Sequence, residues 1–258
     1  MKIQLLPSTI NEYGASTLGQ HLTCFVVDDC VAIDAGSLAF SATVTHRQRV
    51  RDVVLTHAHL DHIAGLPLFI DDLFATLKTP VRIHASQHVI DILERDIFNW
   101  SVYPRFSELK NDHGAVMEYR PFKPGNDISI CHLTVTPVEV NHLVPSAGFI
   151  FSDGITKIAL SGDTAEMDIV WESVNELKDL SALFVECAFP ESMQGLAEVS
   201  HHLTPSRLAA ELEKFGVERC PVYAINLKPM YREEIIEELA QIRQREIKIL
   251  EVGCVSEF

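Results

Sequence analysis

Apolar residues fall along this chain in short runs divided by turn residues, and the rhythm repeats in two halves. In the first half, 3–83, extended runs are predicted at 24–27, 31–33 and 52–56, with the turn Asp34-Ala35-Gly36-Ser37 after the second. From 61 to 77 the apolar positions recur at helical spacing. The middle, 84–125, holds a helix over about 87–97 and then an aromatic, proline-containing loop. In the second half, strands are predicted at 128–140, 147–151, 155–160, 182–185, 222–225 and 247–250. Helices are predicted at 168–177, 205–215 and 232–244, with Pro205 suited to a first helical turn. Hairpin-like runs of strands mixed with helices imply an α/β chain of two sheets packed face to face and covered by helices. The stretch 121–125 reads as a loop, and no low-complexity linker divides the chain, so a single domain over 1–258 is expected.

Hydrophobic residues make up 47% of 258 positions, enough for a sizeable core. No apolar run approaches the roughly 20 residues of a membrane helix. Met1-Lys2-Ile3-Gln4-Leu5-Leu6-Pro7-Ser8 lacks the features of a signal peptide. A cytoplasmic location with no membrane partner is the expectation. The six cysteines are scattered without a CxxC pair, which argues against both a disulfide framework and a zinc–cysteine site. The net charge of −15, from 21 basic and 36 acidic residues with no Lys/Arg cluster, disfavours a long nucleic acid. Bound divalent metals reverse the field locally, which suits a small anionic substrate. Nothing sets the oligomeric state, and a homodimer is compatible with the sequence.

Thr56-His57-Ala58-His59-Leu60-Asp61-His62 directly follows the apolar run Val53-Val54-Leu55. Imidazole and carboxylate are the usual ligands of zinc and similar metals. In extended chain His57 and His59 share a side, and a turn into the following helix aims Asp61 and His62 at a second point nearby. The spacing therefore supports two metal ions better than one, as in hydrolytic sites whose ions sit about 3.5–4 Å apart around a nucleophilic water.

This HxHxDH resembles the signature of the metallo-β-lactamase superfamily, and the later motifs follow in family order over nearly the whole chain. The resemblance implies the αββα sandwich of that fold. It implies His142, in Val140-Asn141-His142, as the third histidine of the first metal. It likewise implies Asp163, in Ser161-Gly162-Asp163-Thr164, as a bridging aspartate. The family closes its ligand set with a histidine after a late strand, and here Asn226, in Ala224-Ile225-Asn226-Leu227-Lys228-Pro229, stands in that place. An amide oxygen binds metal, but it is a neutral, harder and weaker donor than imidazole. The implied cofactor is zinc, as one or two ions, with manganese an alternative at the second position.

Glu186 ends the apolar run 182–185, and His202 lies in Ser200-His201-His202-Leu203-Thr204-Pro205. The pair resembles the carboxylate-backed histidine of phosphodiesterase branches, RNase Z among them. RNase Z also carries a long tRNA-gripping arm, for which the interval from His142 to Asp163 leaves little room. The class II 3′,5′-cyclic-nucleotide phosphodiesterases fit better. His57-Ala58-His59-Leu60-Asp61-His62-Ile63-Ala64-Gly65 resembles their motif, as do the aromatic stretch Ile97-Phe98-Asn99-Trp100 with Tyr103-Pro104-Arg105-Phe106, and the segments His202-Leu203-Thr204-Pro205 and Leu227-Lys228-Pro229. Pro67-Leu68-Phe69-Ile70 departs from that pattern toward RNase Z.

The resemblance implies hydrolysis of a small phosphodiester, a 3′,5′-cyclic nucleotide, to the nucleoside 5′-monophosphate by a metal-bound hydroxide. Asp61 would bind metal and orient the hydroxide. His202, backed by Glu186, would protonate the departing 3′ oxygen. The alternatives are an RNase Z-like tRNA 3′ processing nuclease, a lactone or thioester hydrolase, and a metal-binding protein of weak activity because of Asn226.

Overall fold

Among the described residues, each half of the chain builds most or all of one seven-stranded mixed sheet, the first half's sheet gaining its edge strand from the C-terminus. The computed structural model describes residues 1–13, 15–177 and 179–258. These form two compact units, one of residues 2–123 with 252–257 and one of residues 1, 124–251 and 258.

The N-terminal unit contains β1 (Lys2–Leu5), β2 (Phe25–Val27), β3 (Val31–Ile33), β4 (Asp52–Val54) and β5 (Val81–Ser86). A small hairpin, β6 (Lys110–Asn111) with β7 (Gly114–Ala115), precedes β8 (Met117–Phe122). The sheet runs from the late strand Val255–Glu257 through β1, β2, β3, β4 and β5 to β8. Its pairings are antiparallel as far as β3 and parallel from β3 to β8. Parallel neighbours need crossovers. These carry α1 (Leu38–Ser41) and α2 (Val44–Arg49), then α3 (Leu60–Ile63) and α4 (Leu66–Leu73), then α5 (Gln87–Ile92).

Along α4, Leu66, Phe69, Ile70 and Leu73 are buried at helical i, i+3, i+4, i+7 spacing, in one core with Val53, Leu55, Val81, Ile83, Phe98 and Phe106. Each such side chain contributes about 1.5–3 kcal/mol by leaving water. The helical stretch expected at 61–77 is broken into α3, α4 and a 3-10 turn at Phe74–Thr76. Pro67 has no N–H for the Ile63 carbonyl, so the hydrogen-bond ladder must restart there. The helix expected at 87–97 changes at Leu93 into a π turn, Leu93–Ile97.

The C-terminal unit contains β9 (Ile128–Ile130), β10 (Leu133–Val140), β11 (Ser146–Ser152), β12 (Lys157–Leu160), β13 (Leu180–Glu186), β14 (Val222–Ile225) and β15 (Ile247–Ile249). Its helices are α6 (Asp168–Asn175), α7 (Gln194–Val199), α8 (Pro205–Leu212) and α9 (Arg232–Leu239). The sheet order is β15-β14-β13-β12-β11-β10-β9. Strands β12 to β15 are parallel, and the pairings from β12 back to β9 are antiparallel. Strands β10, β12, β13 and β14 consequently point the same way, and their C-terminal ends line one edge. Trp171, Val174, Leu183, Val185, Leu208 and Ile235 belong to the core of this unit.

The single extended run expected at 128–140 is a hairpin, turned at Cys131 with a left-handed φ of 55°. Helix α8 stops at Leu212 rather than Phe215. The Asn175 carboxamide takes over the turn by donating to the Lys214 carbonyl and accepting from Gly216 N–H. Helix α9 stops at Leu239, where tighter three-residue bonds from Gln241 and Ile242 replace the α ladder. The sequence pattern gave no notice of β1, β5, β8, the late strand Val255–Glu257, α1, α2 or α7. Among the described residues no helix is long and apolar enough to cross a membrane.

Candidate metal centre

In the N-terminal unit the histidine motif leaves β4 and turns into α3, with His59 as its N-cap residue. The turn after the neighbouring parallel strand β3 holds this segment by its backbone. Ala35 N–H donates to the His62 carbonyl at 2.7 Å, and Gly65 N–H to the Ala35 carbonyl at 3.0 Å. Gly36 packs so closely that a Cβ there would stand 1.9 Å from the Asp61 carbonyl oxygen. That contact explains glycine at this position.

Asp34, left-handed at φ 56° and 1% exposed, organises the side chains. It accepts from Thr56 N–H at 2.8 Å, from the Thr56 hydroxyl at 2.9 Å and from His62 Nδ1 at 2.6 Å. Burial pushes its carboxyl above the ordinary range, against the pull of His62 and Thr56. A hydroxyl has one proton. With that proton given to Asp34, Thr56 Oγ1 accepts from His57 Nδ1–H at 2.9 Å, and His57 Nε2 is left as a lone pair. That nitrogen lies 2.9 Å from His59 Nδ1. Two imidazole nitrogens this close require a proton or a cation between them, and the donor set therefore fits a metal ion. The His57 and His62 ring centroids are 4.2 Å apart. Asp61 Oδ2 is 3.9 Å from His62 Nε2 and partly exposed.

In the C-terminal unit, His142 follows β10, Asp163 follows β12, Glu186 ends β13 and Asn226 follows β14. All four therefore occupy the C-terminal edge of the sheet, where α/β proteins generally place their ligands. His142, Asp163 and His202 each offer one donor atom, and these atoms lie within 4.8 Å of one another. His142 Nδ1 donates to the His201 carbonyl at 3.0 Å, leaving Nε2 as its donor. The Asn226 carboxamide, left-handed at φ 58°, is turned nitrogen-first to Asp163 Oδ1 at 2.5 Å.

Glu186 is fully buried and satisfied. Its Oε1 accepts from His202 Nδ1 at 2.6 Å and Thr164 N–H at 2.9 Å. Its Oε2 accepts from Ala188 N–H at 3.0 Å and Leu203 N–H at 3.3 Å. Burial opposes charge on His202, but the Glu186 carboxylate outweighs it and raises the imidazole pKa.

The structure thus brings His57 together with His59 and His62, and His142 together with Asp163, His202, Glu186 and Asn226. Sequence reading missed Asp34 and Thr56, which orient the motif histidines. The available signal is an aspartate and glycine directly after an apolar strand, a pattern that by itself implies only a turn. It also missed His201, whose carbonyl meets His142 Nδ1, and Asn141, whose Oδ1 meets the His201 ring.

Comparison with known proteins agrees with this architecture. The Beta-lactamase superfamily domain matches residues 29–222. The chain belongs to this family. It is 28% identical over 226 residues to a probable 3′,5′-cyclic-nucleotide phosphodiesterase of Yersinia pestis, covering 76% of this chain and 64% of that relative. It is 26% identical to a 3′,5′-cyclic-nucleotide phosphodiesterase of Schizosaccharomyces pombe, covering 64% of this chain and 51% of that relative. The match thus spans about half to two thirds of the length of these curated relatives. The crystal structure of unliganded yeast PDE1 superposes with a TM-score of 0.78 at 18% identity, over 98% of each chain, and shows the shared fold. The α/β class and the two mixed sheets expected from the sequence are borne out.

Proposed function

We propose that this protein is a metal-dependent phosphodiesterase that hydrolyses 3′,5′-cyclic nucleotides to nucleoside 5′-monophosphates. The observation that carries the reading is the buried Glu186–His202 pair beside the donors His142 and Asp163. A lactone or thioester hydrolase is set apart by its need for an acyl oxyanion site. Family membership and the names of the two relatives support the same chemistry.

In this reading His57, His59, Asp61 and His62 would supply the metal donors of the N-terminal unit, and His142 and Asp163, with Asn226 beside Asp163, those of the C-terminal unit. The soft nitrogen donors of the first set favour zinc, and the oxygen-richer second set admits manganese. Ions bound there supply a nucleophilic hydroxide at neutral pH and neutralise charge on the phosphoryl oxygens.

The chain's own groups do the rest. Thr56 and Asp34 hold His57 and His62 in the tautomers that present a lone pair. Asp61 orients the attacking group. His202 keeps its Nδ1 proton on Glu186 and gives a proton from Nε2 to the departing 3′ oxygen.

The test is turnover of cyclic AMP and cyclic GMP with chromatographic identification of the product. Formation of the 5′-monophosphate supports the reading. Cleavage of precursor tRNA in its place supports the RNase Z-like alternative.

A further inference from the structure

His201 ends helix α7 in the left-handed conformation, uncommon outside glycine although histidine, like asparagine, is enriched among the exceptions. Its φ is 54°, in the left-handed region. The bonds around it are those of a Schellman turn: His201 N–H donates to the Glu198 carbonyl at 3.3 Å, and His202 N–H to the Ala197 carbonyl at 2.8 Å. Glycine is the usual residue at the left-handed position of such a turn, because it has no Cβ to clash.

The turn has two consequences within this unit. It aims the His201 carbonyl at His142, whose Nδ1 lies 3.0 Å away. It also sends the chain onward so that the His202 ring and Leu203 N–H both meet Glu186. Arg207 reinforces the turn by donating to the His202 carbonyl at 2.8 Å while its other nitrogens bind Glu166. Separately, the His201 ring reaches Asn141 Oδ1 at 3.2 Å.

We propose that His201 is a positioning residue whose left-handed backbone, rather than its imidazole, fixes the tautomer and direction of His142. A carbonyl accepting from Nδ1–H leaves Nε2 unprotonated and directed, as a metal-binding histidine requires. One turn then locks His142 and the proton donor His202 into a single rigid arrangement. This inference rests on the reading of His142 as a metal ligand.

The test compares His201→Gly with His201→Val in the full chain. Glycine keeps the left-handed turn and removes the ring, whereas valine keeps a side chain and resists the turn. Zinc affinity is measured by competition with a chromophoric chelator, and the His142 tautomer of the metal-free protein by imidazole 15N shifts. The glycine variant is expected to bind zinc within about threefold of the natural protein and to keep the Nδ1–H tautomer. The valine variant is expected to bind about 10–100-fold more weakly, the usual loss when an outer hydrogen-bond partner of a ligand is removed, and to show a mixed tautomer. His201→Ala, milder than valine, is expected to lie between them and serves if the valine variant does not fold.

Unchanged zinc affinity in the valine or alanine variant overturns the proposal. An equal loss in the glycine variant also overturns it, assigning the role to the ring and Asn141. If His142→Ala leaves zinc stoichiometry and affinity unchanged, the ligand reading itself has failed, and the two failures are distinguished.

Discussion

Glu186 and His202 share a hydrogen bond of 2.6 Å at the end of β13, with the carboxylate fully buried and each of its oxygens bonded by backbone N–H. A carboxylate so fixed can neither rotate away nor exchange partners, so the imidazole keeps one tautomer. His202→Ala should slow cyclic-nucleotide cleavage by about 10²–10⁴-fold, the usual contribution of general acid catalysis. The loss should shrink for bis(p-nitrophenyl) phosphate, whose leaving group needs little protonation. Metal content should stay near that of the natural protein. Because His202 also lies among the donors His142 and Asp163, loss of metal in this variant would make it a ligand.

The same pair predicts a pH signature. Glu186 raises the pKa of His202 against the effect of burial. The protonated imidazole is the acid, so activity should fall as pH rises through that raised value. Glu186→Gln removes the charge that raises it, and the alkaline fall should move to lower pH. A pH–rate profile of both proteins, with metal held saturating, makes the comparison.

Asp34 should matter to metal binding without touching metal. It holds Thr56 and His62, and through Thr56 it sets His57. Asparagine tolerates the left-handed backbone of this position, so Asp34→Asn isolates the loss of the carboxylate. Zinc affinity should fall about 10–100-fold, measured by chelator competition, with far-UV circular dichroism unchanged.

Asn226→His should tighten the second metal position. Histidine, like asparagine, is among the residues enriched at positive φ, so the backbone at φ 58° can accept it. In the natural protein the carboxamide donates to Asp163, which ties up one lone pair of that carboxylate. Turnover should rise with added manganese in the natural protein and depend less on it in the variant. Two tightly bound zinc ions in both proteins, with identical metal preference, would show that Asn226 does not limit the site.

Away from the site, Asp52 should shape acid stability. Burial alone would raise its pKa, but hydrogen bonds from His84 and Arg82 bring it down to about 2. The folded value lies below the unfolded value near 3.9. Its contribution is therefore present above about pH 4 and lost as pH falls toward about 2. Asp52→Asn should cost about 2 kcal/mol at neutral pH, less than the roughly 3–5 kcal/mol of a fully buried broken pair, because Arg82 is a third exposed. It should also flatten the acid limb, as followed by urea unfolding across pH 2 to 6.

Strands β2 to β4, most strands of the second half and the motif histidines were legible in the sequence because each rests on local order. Val31–Ile33 and Val222–Ile225 are unbroken apolar runs, and the pattern places them at their observed bounds. What was not legible depends on contacts distant in sequence. Asp34 acquires its role from His62, 28 positions away, and His201 from His142, 59 positions away. The short helix α7 carries little periodic signal, because Ala197 is its one buried residue. Strand β8, Met117–Phe122, contains Pro121 and partly exposed positions, consistent with its place at the sheet edge.

The central claim is tested most directly by one paired measurement: metal content and cyclic AMP turnover in the natural protein and in His57→Ala. The account predicts tightly bound zinc and conversion to the 5′-monophosphate in the natural protein, with both lost together in the variant. A natural protein that holds its metal but leaves cyclic nucleotides intact, or a variant that keeps full metal and full turnover, would contradict it.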